Sequence, residues 1–208
     1  TTGIFSYFLP TPTIDIEPGF LGQGFSSGRE FCGLVREHRR NGADFIKIMI
    51  SGLMDFRAFG VLTEEGLPAA EIRELVSICH GEGFSVMAHA NGARTVEAAA
   101  AAGVDSIEHG AYLDAEALAA MAACGTVWVP TLSTVANLRR TGRYDDGVLD
   151  AILDSFYENL HAYCALGGLL APGTDAGAPA VPHAGETELA LLAPFPLAPG
   201  TQTLMDRF

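Results

Sequence analysis

Short apolar runs alternate along the chain with longer stretches whose apolar residues recur every three or four positions. The short runs are FIKIMI (45–50), FSVMAH (84–89), VDSIEHG (104–110), TVWVPTL (126–132) and GGLLAPGTD (167–175). Each is too brief for a helix and lies close to Gly, Asn or Pro, so each reads as a strand. The segment PAAEIRELVSICHGEG (68–83) opens with proline and places Ile72, Leu75, Val76 and Cys79 at helical spacing. Helices are also predicted over Gly28–Arg40, stopped by Asn41-Gly42, over GARTVEAAAAAG (92–103), and over Asp114–Cys124, closed by Gly125. A longer helix is expected at about Val148–Leu166 and a short one from Gly185 to Ala193. The Gly/Pro-punctuated opening (1–27) has room for a sixth strand near Ile4–Leu9, and the tail 194–208 reads as loop.

Strands separated by single helices need crossover connections, which means a parallel sheet with helices outside it. The pattern therefore predicts one α/β domain over residues 1–208, with βα units across 28–193. No GxGxxG or P-loop follows any strand, which weakens nucleotide-binding readings. A composition 49% hydrophobic and 18% charged suits a globular core. The net charge of −13, with no basic cluster beyond Arg39-Arg40, argues against nucleic acid and anionic membranes as partners. Cys32, Cys79, Cys124 and Cys164 fall singly, as free thiols in a reducing compartment would. No run approaches the roughly 18–20 apolar residues of a membrane span, and the first residues lack the basic start of a signal peptide. A cytoplasmic location is expected.

In parallel α/β folds the active site forms at the C-terminal ends of the strands. Lys47 lies within FIKIMI, while His89, His109 and Asp175 close three other runs. Taken singly, such residues are more often structural: a satisfied histidine, an aspartate capping a turn, a lysine snorkelling from an edge. On separate strand ends of one sheet they point to a site. Apolar neighbours would favour the neutral amine of Lys47, and neutral imidazole and carboxylate are ordinary zinc ligands. His38, His80 and His161 fall in helices, where packing or surface roles are expected. His183, in the loop after Asp175, is a candidate substrate contact.

Taken together, GADFIKIMISG, VMAHANGARTVEAAAAAGVDSIEHG and APGTDAG, with WVPTL as a weaker fourth segment, resemble the metal-dependent amidohydrolase superfamily. The nearest likeness is to imidazolonepropionase-like proteins and Xaa-Pro or Xaa-Arg/Lys dipeptidases, over about residues 28–193. The resemblance implies a (β/α)8 TIM-type barrel with one or two divalent metals, usually zinc, at the strand ends. It implies that Lys47 takes up carbon dioxide as a carbamate bridging two metals. It further implies that His89 and His109 bind one metal, and that Asp175 binds the other and handles protons. The reaction would be hydrolysis of the amide bond of a dipeptide or N-acyl amino acid. The alternative is a cyclic amide hydrolase of imidazolonepropionase type, which uses one metal and no carbamate; Lys47 argues against it. Loops 51–67, 132–147 and 176–184 would set the substrate side chain.

The family's first strand carries a His-x-His pair, and no such pair occurs in these 208 residues. The chain is therefore expected to hold about strands three to eight of an incomplete barrel. Exposed strand edges are expected to promote self-association or homo-oligomer formation. From a different class comes a second reading, a fold remnant without catalysis or a binding module completed by a partner.

Overall fold

The computed structural model describes residues 27–176 and 186–199. Helix α1 (Gly28–Arg40) leads into β1 (Phe45–Met49), α2 (Ala69–Gly81), β2 (Ser85–Ala90), α3 (Ala93–Ala102) and β3 (Ser106–His109). Then come α4 (Ala115–Cys124), β4 (Val127–Val129), α5 (Ser133–Ala136), α6 (Asp146–Ala165), β5 (Leu169–Leu170) and α7 (Glu186–Leu192). Every neighbouring strand pair is parallel, and the strand order β1-β2-β3-β4-β5 follows the chain. A doubly wound sheet reverses its order at a switch point. The unreversed order is that of a β/α barrel, as the resemblance implies, and β1 and β5 are the edges of the described sheet.

Alternation along each strand separates two faces. Ile46, Ile48, Val86, Ala88, Ile107, Trp128 and Leu170 are fully buried and form the core with Phe31, Ile72, Val96, Ala117 and Leu149 from the helices. The other face carries Lys47, Met87, His89, Ser106 and Glu108. Trp128 packs edge-on against Tyr163 of α6, with centroids 5.6 Å apart, and lies 6.3 Å from the ring of Phe156. The Tyr163 hydroxyl in turn donates to the Thr126 carbonyl.

The predicted helices are all present, and their starts follow from local chemistry. Ser27 accepts from Glu30 N at 3.3 Å to open α1, and Asp114 accepts from Ala117 N at 2.9 Å to open α4. Helix α6 begins ahead of Val148 because Asp145 accepts from the amides of Gly147 and Val148. The stretch 132–147 contains the short buried helix α5 and is not all loop. Two strands are shorter than their apolar runs. Pro130 lacks the N–H that a further ladder bond needs and ends β4 at Val129; Pro172 does the same for β5, shortly after Leu170. Asp175 therefore stands beyond its strand instead of closing it. The predicted strand near Ile4–Leu9 and the tail from residue 200 onward lie outside the described residues. Among the described residues no helix is long and apolar enough to cross a membrane, and all four cysteines are free.

Candidate active site

His89 and His109 meet at the C-terminal end of the sheet. Their ring centroids are 4.6 Å apart at an interplanar angle of 64°, and only 6% and 8% of their surfaces are exposed. Burial, reinforced for His89 by the neighbouring His109 and for both by the charge of Lys47, pushes each imidazole down to about 3. Both are therefore neutral at physiological pH, the form that ligates metals.

Each ring is held through one nitrogen. Nε2 of His89 lies 3.1 Å from the Gly52 carbonyl, which can only accept, and 3.3 Å from Asn91 Nδ2, which itself donates to that carbonyl. The shorter contact places the proton on Nε2 and leaves Nδ1 its lone pair. The same carbonyl accepts from Asn91 Nδ2 at 3.1 Å. Asn91 also accepts from Ala111 N through Oδ1 at 3.0 Å, and its own amide donates to Ser51 Oγ at 2.7 Å. These bonds tie together the segments leaving β1, β2 and β3. Glycine is required at position 52, because a Cβ there would stand 2.4 Å from Glu64 N.

His109 reaches the site by leaving the strand conformation. Register pairs His89 with Glu108, so alternation alone would place Glu108 on the inner face and His109 toward the helices. Instead His109 adopts φ 69°, and its ring comes beside His89. Its carbonyl accepts from Trp128 Nε1 at 2.7 Å, and its Nδ1 lies 2.7 Å from Thr131 Oγ1. Gly110 follows at φ 70°, and a Cβ at that position would lie 2.6 Å from Trp128 Nε1. The His-Gly pair thus needs both the left-handed turn and the bare glycine.

Lys47 and Asp175 are placed differently. Lys47 pairs with Met87, one layer below the level at which Met49, His89 and Glu108 align. The isoleucines flanking Lys47 are fully buried, but Lys47 itself is half-buried because alternation turns it to the inner face of an edge strand. The expectation of a lysine desolvated within its strand is corrected accordingly. Asp175 is exposed, with φ 50°, after the β5 edge. Both charges are nonetheless felt at His89 and at Glu108. His183 lies outside the described residues.

Glu108, Thr131 and Asn91 are neighbours of the histidine pair that sequence reasoning missed. Glu108 is 5% exposed and accepts from Ser106 Oγ at 2.7 Å; burial raises its carboxyl above the ordinary value, against the opposing pull of Ser106 and Lys47. A strict period of two through SIEH would have found it. Thr131 belongs to WVPTL, where no pattern singles out its hydroxyl.

The chemistry of this donor set fits a divalent cation in part. Two neutral imidazoles stand side by side, each held through one nitrogen with the other left over. Among the described residues no group of three or more His, Cys, Asp or Glu is gathered at metal-binding geometry. Of the four residues that the resemblance assigns to a metal, the two histidines meet in the structure.

Comparison with known proteins agrees with this arrangement. The Amidohydrolase family profile matches residues 16–199. Ochratoxinase of Aspergillus niger is 30% identical over 189 residues, covering 84% of this chain and 38% of that protein. A solved Xaa-Pro dipeptidase with methionine bound in its active site gives a TM-score of 0.66 at 27% identity, over 82% of this chain and 43% of its own. A prolidase complexed with N-methylphosphonate-L-proline gives 0.69 at 24% identity, over 92% of this chain and 51% of its own, a likeness of fold alone. The chain spans about 38–51% of the length of each. A profile match over most of the residues, on a sequentially ordered parallel sheet with paired imidazoles at its strand ends, shows that the chain belongs to the amidohydrolase family.

Proposed function

We propose that the protein carrying this chain hydrolyses the amide bond of a dipeptide or an N-acyl amino acid with the help of a divalent metal, zinc by preference. The observation that carries the reading is the buried pair His89 and His109, neutral and 4.6 Å apart, each with one ring nitrogen held by a neighbour. The similarity to an Xaa-Pro dipeptidase and to ochratoxinase supports the amide class.

Nδ1 of His89 and Nε2 of His109 would hold the cation, joined by Lys47 as its carbamate and by Asp175. The chemistry that such a cation would supply is polarisation of the scissile carbonyl and a nucleophilic water at neutral pH. Lys47 is only half-buried, so its amine is within reach of dissolved carbon dioxide. Asp175, as a carboxylate, can take a proton from the attacking water and pass it to the departing amine nitrogen. Glu108, paired with His89 in the register and hydrogen-bonded to Ser106, lines the inner face beside the histidines.

The test is hydrolysis of a panel of Xaa-Pro and other dipeptides and N-acyl amino acids, with zinc supplied and with chelator. His89→Ala is expected to lower kcat/KM by at least about 10³-fold, the equivalent of several kcal/mol of lost Lewis-acid stabilisation. Lys47→Ala should behave alike. Unchanged activity in Lys47→Ala would sink the carbamate, and indifference to chelator would sink the metal.

A further inference from the structure

We infer that Thr131 is a positioning residue of this site, whose hydroxyl accepts from His109 Nδ1–H and so turns the Nε2 lone pair toward the strand ends. Three observations carry the assignment. Thr131 Oγ1 lies 2.7 Å from His109 Nδ1, and both side chains are buried. Thr131 has φ 52°, a backbone conformation that a β-branched residue adopts only under constraint and that glycine or asparagine would occupy more easily. The strained backbone is itself over-determined, since the Thr131 carbonyl accepts from both the amide and the hydroxyl of Thr134. The local structure thus presents this hydroxyl to the ring at the cost of strain.

The proposed tautomer gives each nitrogen of His109 a separate role. No acceptor among the described residues stands within hydrogen-bonding distance of His109 Nε2. A proton on Nδ1 is received by Thr131 at 2.7 Å and leaves Nε2, which meets no protein partner among the described residues, open to a ligand. The arrangement also divides the labour between the two histidines. The Gly52 carbonyl fixes the proton of His89 on Nε2, and Thr131 fixes that of His109 on Nδ1. The consequence for metal binding rests on the proposed function; the tautomer does not.

The experiment is ¹⁵N NMR of the imidazoles in the metal-free, chelator-treated protein at neutral pH, with His109 assigned by comparison with His109→Asn. The expected result is a pyrrole-type Nδ1 and a pyridine-type Nε2 for His109. Thr131→Val, which keeps the shape and removes the hydroxyl, should shift the ring toward the opposite tautomer, and Thr131→Ser should restore the original one. A wild-type His109 protonated on Nε2, or a tautomer ratio unchanged in Thr131→Val, would overturn the assignment. As a second readout, Thr131→Val is expected to weaken Zn²⁺ affinity by about 10–100-fold with rescue by Thr131→Ser, as for other residues that orient a ligating histidine. A wild type that binds no Zn²⁺ would count against the proposed function and leave the tautomer to judge Thr131.

Discussion

The middle of the sheet and its edges are built to different standards. At the ends of β2 and β3, His89 and His109 are almost fully enclosed, and each ring is fastened by a named partner. At the edges, Lys47 on β1 is half-buried and Asp175 after β5 is exposed, and among the described residues no side-chain hydrogen bond holds either of them. The residue types at the edges suit the same chemistry as those in the middle, so composition is not the difference. A strand with neighbours on both sides has its polar ends boxed in by two loops and two registers, whereas an edge strand has only one of each. The contrast teaches that a barrel site is assembled pairwise. The described strands complete the pairs around the histidines and leave those around Lys47 and Asp175 open.

Substitution can break this contrast most forcefully at Trp128. The ring is fully buried, packs on Tyr163, and donates to the carbonyl of His109. Trp128→Ala is expected to cost about 3–5 kcal/mol in urea unfolding, as large-to-small aromatic changes in cores do. Lys47→Ala, at the edge, should stay within about 0.5 kcal/mol, as surface substitutions do. Comparable losses from the two variants would show that the edge is as well enclosed as the middle.

The helices and the sheet direction were legible in the sequence because they depend on local signals: Asn41-Gly42 as a stop, Pro68 at a first turn, Asp114 as a cap. The histidine pair was legible from strand-end position and family likeness together. Three things were not. The lengths of β4 and β5 depend on Pro130 and on Pro172, which cut apolar runs that otherwise look continuous. The exposure of Lys47 depends on which face of β1 it takes and on β1 lying at an edge of the described sheet, and both are tertiary facts. Glu108 and His109 are adjacent yet both reach the site, because φ 69° at His109 breaks the alternation, and side-chain patterns do not encode that turn.

A second, smaller effect separates the middle from the edges by pH. His89 and His109 resist protonation until about pH 3 in the folded state, while the unfolded chain binds those protons near the ordinary 6.5. Between these values the unfolded state holds more protons, so stability falls as pH falls. From pH 6.5 to pH 5 the loss should be about 2 kcal/mol for each histidine. His109→Asn is expected to remove its share of the slope in urea titrations at stepped pH. A slope unchanged in that variant would mean that the ring is hydrated in the native state, which would bring the middle closer to the edges.

The smallest effect is expected where the β5 edge is fastened. Glu188 of α7 is fully buried and accepts from the amides of Leu132 at 2.9 Å and Ser133 at 2.6 Å, while Ser133 Oγ donates to the Thr174 carbonyl beside Asp175. Burial raises the Glu188 carboxyl above its ordinary 4.5, partly offset by the hydrogen bonds from Ser133 and Leu132. The folded state therefore holds this proton to higher pH than the unfolded chain does. The contribution to stability is greatest below 4.5 and declines as pH rises through the elevated value, opposite in sign to that of the histidines. Glu188→Gln should abolish that decline, so the stability difference, wild type minus variant, should shrink as pH is raised from about 4.5. It should also speed amide exchange at Leu132 and Ser133, because an amide oxygen is a weaker acceptor than a carboxylate for these two donors. If exchange is unchanged, α7 is held by its apolar contacts alone, and the approach to Asp175 does not depend on Glu188.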